Sequence, residues 1–442
     1  MSGGDRLRDV AGRLLDGARR RGIPDVRVAA GRSRTVTVVW RKGRVDKVQE
    51  SARLGATLHL YLEGRYTSCG TNDLRSEAVE RFLDAAVAMC RAMTPDPYRA
   101  IPDPALYEGR PEVDLALFDP AAAEATTEER KEYAAAMEAA ALETAGPKAI
   151  QAETTRQDDE GELYQVHSNG FEGSQRSSTF AGWAEVSLQD EGDKRPSGDY
   201  DVAARRWADL PAAAETGRRA AEYGLLRLGA RKIESGRRTM IVENRAVGRI
   251  LGYLLAAASG RALQQKQSFL DGAVGRPFGS ERMTLLDDPL IPGGLGSRLF
   301  DGEGISARRL PLFEAGVFRN FFLDTYYARK LSLPPTTGGR SNLVLPPGDR
   351  SLDELVAAVA DGILVRGFLG GNSNSTTGDF STGIYGTRIE GGRLTHAVAE
   401  MNVAGNHKEF WRRLVEVGND PWPYGALRIP SLVFEDVQFS GV

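Results

Sequence analysis

Between positions 95 and 111 stand five prolines, Pro95, Pro97, Pro102, Pro104 and Pro111. Each fixes φ and lacks an N–H, so neither a helix interior nor a central strand can run through the stretch. The chain must therefore fold in pieces on either side of a linker, residues 95–111. At 442 residues it also exceeds what one hydrophobic core usually organises, and two or three domains are expected. The pieces are residues 1–94, residues 112–236 and residues 237–442.

In the first piece, Leu7, Val10, Leu14 and Ala18 recur at helical spacing. Asp5, Asp9 and Asp16 are interleaved with the arginines around them, unlike a transit peptide, which is poor in acids. Strands are predicted at 26–30 and 35–40, turning through Arg41-Lys42-Gly43-Arg44 into 45–49. A further pair, 56–62 and 66–69, turns through Glu63-Gly64-Arg65. A helix then aligns Val79, Phe82, Leu83, Ala86, Val87 and Cys90, with Asn72 or Asp73 as its cap.

In the middle piece, Thr126 and Glu129 form a capping box for an alanine-rich helix reaching about residue 144. Strands follow at 149–156, 163–168 and 179–188, with turns at 158–161 and at Asn169-Gly170. The run Asp158-Asp159-Glu160 reads as a solvated turn, and a helix spans 211–228.

The last piece opens with a strand at 239–243 and a helix at 245–258, whose second half is apolar or small nearly throughout and is expected to be buried on most sides. Gly260 is its expected stop. Hairpins are predicted at 305–313/317–323 and 383–390/394–400, with a helix at 351–360 and a loop at 370–378. The fold class is α+β: an N-terminal α+β domain, a strand-rich middle region and a large C-terminal antiparallel β domain around a buried helix.

Lys+Arg number 57 against Asp+Glu 60, a net charge of -3, which gives no support to direct nucleic-acid binding. No apolar run reaches the roughly 18 residues of a membrane span. Cys69 and Cys90 are too few for a disulfide framework; they read as buried thiols in a reducing, cytoplasmic protein. Gly370-Gly371-Asn372-Ser373 lacks the lysine of a phosphate loop, Gly293-Gly294-Leu295-Gly296 lacks the third glycine of a dinucleotide fingerprint, and no Gly-x-Ser-x-Gly occurs. None of His59, His167, His396 and His407 lies within five residues of another, so no helix offers two imidazoles to one metal. His59 reads as structural, His167 as exposed, His396 and His407 as unrelated surface residues. The residues alone offer no catalytic set.

Several segments of the last piece resemble the TldD/TldE (PmbA) family, long labelled modulator of DNA gyrase. They are Phe300-Asp301-Gly302-Glu303-Gly304, Tyr327-Ala328-Arg329-Lys330-Leu331, Gly378-Asp379-Phe380-Ser381-Thr382-Gly383 and Val417-Gly418-Asn419-Asp420, with Thr94-Pro95-Asp96-Pro97 upstream. The resemblance covers essentially the whole chain. It implies comparison with the family's catalytic member, which carries His-Glu-x-x-x-His on the helix opening the last domain and a cysteine near the C-terminus as zinc site. Here that helix reads Asn244-Arg245-Ala246-Val247-Gly248-Arg249, so Asn244, Arg245 and Arg249 stand at the motif positions, and Gly418-Asn419-Asp420 holds no cysteine.

By resemblance, the chain is a TldE/PmbA-like subunit without metal or cofactor of its own, inactive alone. Its partner is a TldD-like subunit holding zinc, its substrate an unfolded or leader peptide taken by strand addition, and a homodimer forms when the partner is absent. Asn372, Ser373, Asn374, Ser375 and Asp379 are candidates for the wall of the substrate chamber. Two alternatives stand beside this reading: a non-proteolytic modulator of a gyrase or toxin–antitoxin system, and an independent hydrolase using Ser373 or Ser375, for which the sequence shows no adjacent base.

Overall fold

A computed structural model describes residues 3–442; residues 1–2 of the first expected domain lie outside the described residues. Helix α1 (Gly3–Arg20) precedes three strands, β1 (Asp25–Arg41), β2 (Arg44–Leu62) and β3 (Arg65–Thr71), and helix α2 (Ser76–Ala92). After the proline stretch come α3 (Ala121–Glu124), α4 (Thr127–Ala145), β4 (Ala149–His167), β5 (Glu172–Leu188), β6 (Ser197–Ala204) and α5 (Ala213–Leu225). The linker does not divide the sheet. β1 pairs with β4 from Arg27↔His167 to Arg41↔Glu153, and one antiparallel sheet runs β3-β2-β1-β4-β5-β6.

The strands are longer than their sequence signals. The predicted pieces 26–30 and 35–40 are one strand, as are 45–49 with 56–62 and 149–156 with 163–168. Polar residues at their centres, which read as breaks, instead align across the ladder: Arg32 pairs with Glu162 at 2.6 Å, Arg34 with Glu50 at 2.7 Å, and Thr35 Oγ1 donates to Asp159 at 2.6 Å. The expected solvated turn at Asp158-Asp159-Glu160 is therefore mid-strand. Asp158 is buried between two buried guanidiniums, Arg130 at 2.6 Å and Arg156 at 2.7 Å. The capping box of α4 forms as its residues require.

Alternation along the strands gives the sheet two faces. Val26, Val28 and Ala30 pack under α1 and α2, while Val38 packs under Ala134 and Met137 of α4. Arg27 and Ala29, of opposite parity on β1, face the C-terminal domain across a cleft.

That domain comprises β7 (Gly236–Val242), α6 (Asn244–Ala257), α7 (Gly260–Gln264), β8 (Leu285–Asp288), β9 (Leu310–Glu314), β10 (Val317–Phe318), α8 (Thr325–Leu331), β11 (Asn342–Val344), α9 (Leu352–Ala357), β12 (Asp361–Ser373), β13 (Asp379–Glu390), β14 (Arg393–Asn406), α10 (His407–Phe410), β15 (Leu414–Val417), β16 (Leu427–Arg428) and β17 (Leu432–Ser440). The sheet β14-β13-β12-β7-β17-β15 closes on itself through β14–β17, and Val247, Ile250, Leu251 and Leu254 of α6 fill the same core as Val365, Ile384, Met401 and Phe434 of its strands. β7 and β12 run parallel in this otherwise antiparallel closure. The long chain segment between them makes that possible, since a tight hairpin would force the antiparallel sense. A smaller sheet, β10-β9-β8-β11-β16, packs into the same core. Gly260 does not end α6; it opens α7, with Ser259 accepting from the Ala262 N–H as cap. Among the described residues no helix is long and apolar enough to cross a membrane.

Candidate functional site

α6 leaves β7 at Glu243, whose side chain does not cap the helix. It turns instead to Tyr223, which donates at 2.8 Å, and to Arg366 at 2.7 Å, forming a buried ion pair. Residues four apart share one helical face, so Arg245 and Arg249 both line an open cleft of about 460 Å³, together with Arg366, Asp199, Asp201 and Trp422.

Arg245 is held on every side. Its Nη2 lies 3.1 Å from both Asp199 Oδ2 and Asp201 Oδ1, and Nη1 donates to the Asp199 carbonyl at 3.0 Å. Tyr200, Tyr223 and Trp422 surround the guanidinium with ring centroids 4.7, 4.8 and 5.4 Å away. Burial works against its charge, but Tyr223, Asp201 and Asp199 more than offset this, and its pKa stands above the ordinary arginine value. Arg249, more exposed, donates to the Gly370 carbonyl at 2.9 Å. Asn244 Nδ2 donates to the Asp420 carbonyl at 2.7 Å, and Ser431 Oγ accepts from the Asn244 N–H at 3.1 Å while donating to Asp420 at 2.7 Å. The two segments aligned by resemblance with the ligand positions, at 244–249 and at 418–420, thus meet in space.

The residues here do not fit a zinc ion. Guanidiniums offer donors and no lone pair, and the one amide oxygen, Asn244 Oδ1, is taken by the Arg245 N–H at 2.6 Å. The carboxylates here are engaged: Asp199 and Asp201 hold Arg245, Glu243 pairs with Arg366, and Asp420 accepts from Ser431. Among the described residues no group of three or more His, Cys, Asp or Glu side chains is placed to hold a metal. The sequence reading missed Asp199, Asp201, Tyr200, Tyr223, Arg366 and Trp422. They come from β6, α5, β12 and the loop before β16, and no local pattern links them to position 245.

The chamber candidates lie further along β12. The cleft reaches that strand only as far as Gly370. Beyond it Asn372 is exposed, Asn374 Oδ1 accepts from the N–H groups of Thr376 and Thr377, and the Ser375 carbonyl accepts from Phe269 N–H at 2.7 Å. Asp379 accepts from Thr377 at 2.7 Å and Asn406 at 2.8 Å, and these bonds hold its carboxyl below the usual range. The Asn374 and Asp379 side chains thus hold the turn between β12 and β13.

Ser373 does have an imidazole beside it: Oγ lies 3.3 Å from His407 Nε2. This histidine, expected at the surface, is fully buried, stacked on Phe269 at 5.3 Å. Trp411 Nε1, which can only donate, bonds its Nδ1 at 3.2 Å. Nδ1 must accept, so the neutral ring carries its proton on Nε2 and donates towards Ser373. Burial also pushes the imidazole down to about 4. The pair is oriented and tuned against general-base activation of the serine. His167, expected to be exposed, is also buried, bonded to Tyr107 Oη at 2.9 Å and Gln165 at 2.7 Å, while His59 is a half-buried strand residue bonded to Tyr66 at 2.9 Å. Cys90 is buried and Cys69 partly so, both as free thiols.

Comparison with known proteins returns one family along the chain. Domain 1 of the PmbA/TldA metallopeptidases matches residues 26–90, their central domain residues 120–228 and their C-terminal domain residues 235–441. A Bacteroides thetaiotaomicron crystal structure, described as a modulator of DNA gyrase, is 38% identical, covers 99% of both chains and superposes with a TM-score of 0.96. The metalloprotease PmbA of Escherichia coli is 28% identical over 94% of this chain and 92% of its own length. TldE from Thermococcus kodakarensis, at 22% identity, shares the fold, with a TM-score of 0.87 over 98% of this chain and all of its own.

Proposed function

The chain belongs to the PmbA/TldD metallopeptidase family, and from that premise we propose that it is the TldE-like subunit that does not hold the zinc of a two-subunit peptidase. One observation carries this reading. At the helix positions where the resemblance places the catalytic motif stand Asn244, Arg245 and Arg249, and Arg245 occupies its surroundings with a charge of the wrong sign, neutralised by Asp199 and Asp201. No thiol stands at 418–420 beside them.

In this reading zinc and the water it activates belong to a TldD-like partner in the cytoplasm, and the present chain completes an enclosure around unfolded or leader peptides. The Ser373 hydrolase alternative finds no support in a histidine that donates to the serine. The test is to mix this chain with a TldD-like subunit and to follow elution volume together with cleavage of an unstructured peptide. A joint species that alone cleaves is the expected result. A TldD-like subunit equally active by itself, or two chains that stay apart at micromolar concentration, would leave the non-proteolytic modulator reading in its place.

A further inference from the structure

A second cleft, of about 630 Å³, shares no lining residue with the first. Its floor is the sheet face turned away from the helices, with Arg27, His59, Tyr61 and Gln165; its other walls come from Arg298, residues 301–303 and residues 324–326 of the C-terminal domain and from Tyr98 and Arg99 of the proline linker.

The carboxylates around it are engaged. Asp301 accepts from the N–H groups of Glu303 at 2.8 Å and Ile305 at 3.0 Å and from Thr337 Oγ1 at 3.1 Å. Asp324 caps α8 through the Tyr327 N–H at 2.7 Å. Glu303 takes both donors of Thr325 at 2.8 Å and pairs with Arg27 at 3.4 Å. The cations are less well matched. The Arg99 guanidinium carbon lies over the ring of Tyr326, 3.4 Å from its centroid, and 4.6 Å from that of Tyr66, and among the described residues its guanidinium has no hydrogen-bonded or ionic partner. Arg298 donates to the carbonyls of Arg340 and Gly339 and to Thr337, and Asp287 offsets its charge without bonding it directly. Arg27 is 6% exposed, and its Nε has no partner there either. His59 adds no charge, since burial and then Arg27 push it down to about 4.

Stacking fixes the plane of a guanidinium and leaves its N–H edge directed outward, the arrangement that receives a carboxylate through two parallel bonds. Tyr98, 40% exposed, adds an aromatic wall for the body that carries it. We propose that this cleft binds a peptide-borne carboxylate, received by the stacked Arg99. The proposal stands independently of the partner-subunit reading.

Isothermal titration of the full chain against three probes tests it: an acetylated alanine peptide with a free C-terminus, an acetylated and amidated peptide of the same length rich in glutamate, and inorganic phosphate. At least one peptide is expected to bind, and which one does so distinguishes a terminal carboxylate from a side-chain one. Arg99→Gln should weaken that binding about tenfold or more, the scale of a lost charge-assisted hydrogen bond, whereas Arg249→Gln in the first cleft should leave it unchanged. Thermal unfolding establishes that the variant folds; if it does not, Arg99→Lys, which keeps the charge without the fork, is expected to weaken binding in its place. The proposal is overturned if neither peptide binds, if phosphate alone binds, if the folded Arg99 variant binds as wild type, or if Arg249→Gln abolishes binding equally.

Discussion

Arg245 shows how a single side chain can decide what a helix does. Its three ring neighbours and two carboxylates lie on elements far from it in sequence, and together they make a guanidinium the stable occupant of that space. Reversing the three motif positions would not by itself rebuild a peptidase. In the triple variant Asn244→His, Arg245→Glu, Arg249→His, a third carboxylate would face Asp199 and Asp201 without a cation between them, and the neighbouring segment would still read Gly418-Asn419-Asp420 with no thiol. Bound metal also depends on the groups that orient its ligands, and the three substitutions add none. We expect no cleavage of a fluorogenic unfolded protein by the variant alone, with or without added zinc; robust zinc-dependent turnover would show that far more of the site survives than this reading allows. At the same scale, the substitutions at 244, 245 and 249 could be read in the sequence by resemblance. The charge cage around Arg245 could not, because Asp199 and Asp201 sit in an unremarkable polar stretch of an edge strand.

Helices α4 and α5 meet closely where glycine allows it. A Cβ built on Gly217 would fall against the Met137 carbonyl, with the Met137 carbonyl carbon at 2.8 Å and the Ala141 nitrogen at 3.1 Å. These are backbone atoms of the facing helix and cannot rotate away. An alanine inside a helix ordinarily gains about 1 kcal/mol over glycine, but here the overpacking must part the helices. Gly217→Ala is expected to lose about 1–3 kcal/mol net in urea unfolding; a stabilised variant would mean that the helices separate at little cost. The helices were legible because their signals are local: the Thr126 and Glu129 box, the apolar spacing of α1, the apolar second half of α6. Strand lengths were not. Gly31 to Arg34 and Asp158 to Gly161 carry turn-like residues, and only the neighbouring strands, by offering Glu50, Glu162 and the rest of the ladder, turn them into strand centres.

Over the whole molecule, the proline linker separates the regions in sequence while the shared sheet and the linker's own hydrogen bonds hold them together. Asp96 N–H donates to the Gly64 carbonyl at 2.8 Å, Ser306 Oγ to the Tyr107 carbonyl at 2.7 Å, and the buried Arg205 reaches the carbonyls of Gly294 and Leu295. His167 lies at this junction. Burial, with Arg27 adding to it, pushes its imidazole down to about 2 and that of His59 to about 4, and burial alone takes His407 to about 4. An unfolded histidine titrates near 6.5, so below that pH the unfolded chain binds protons that the folded chain refuses. The stability these groups contribute is present above about 6.5 and is lost as the pH falls, towards about 4 for His59 and His407 and towards about 2 for His167. The urea midpoint should therefore drop between pH 7 and pH 5, and His407→Gln should make the fall shallower by about one proton; an unchanged midpoint across that range would contradict the burial of these rings. What the sequence alone determined was what neighbouring residues settle among themselves: helix faces, caps, tight turns, the proline break, the lack of a local catalytic set and the ordered family segments. The tertiary structure decided the rest: the joining of β1 to β4 across the linker, the burial of Asp158 and His407, the caging of Arg245 and the opening of two clefts. Those outcomes depend on which surfaces meet across hundreds of residues, and burial and charge pairing take their strength from that meeting.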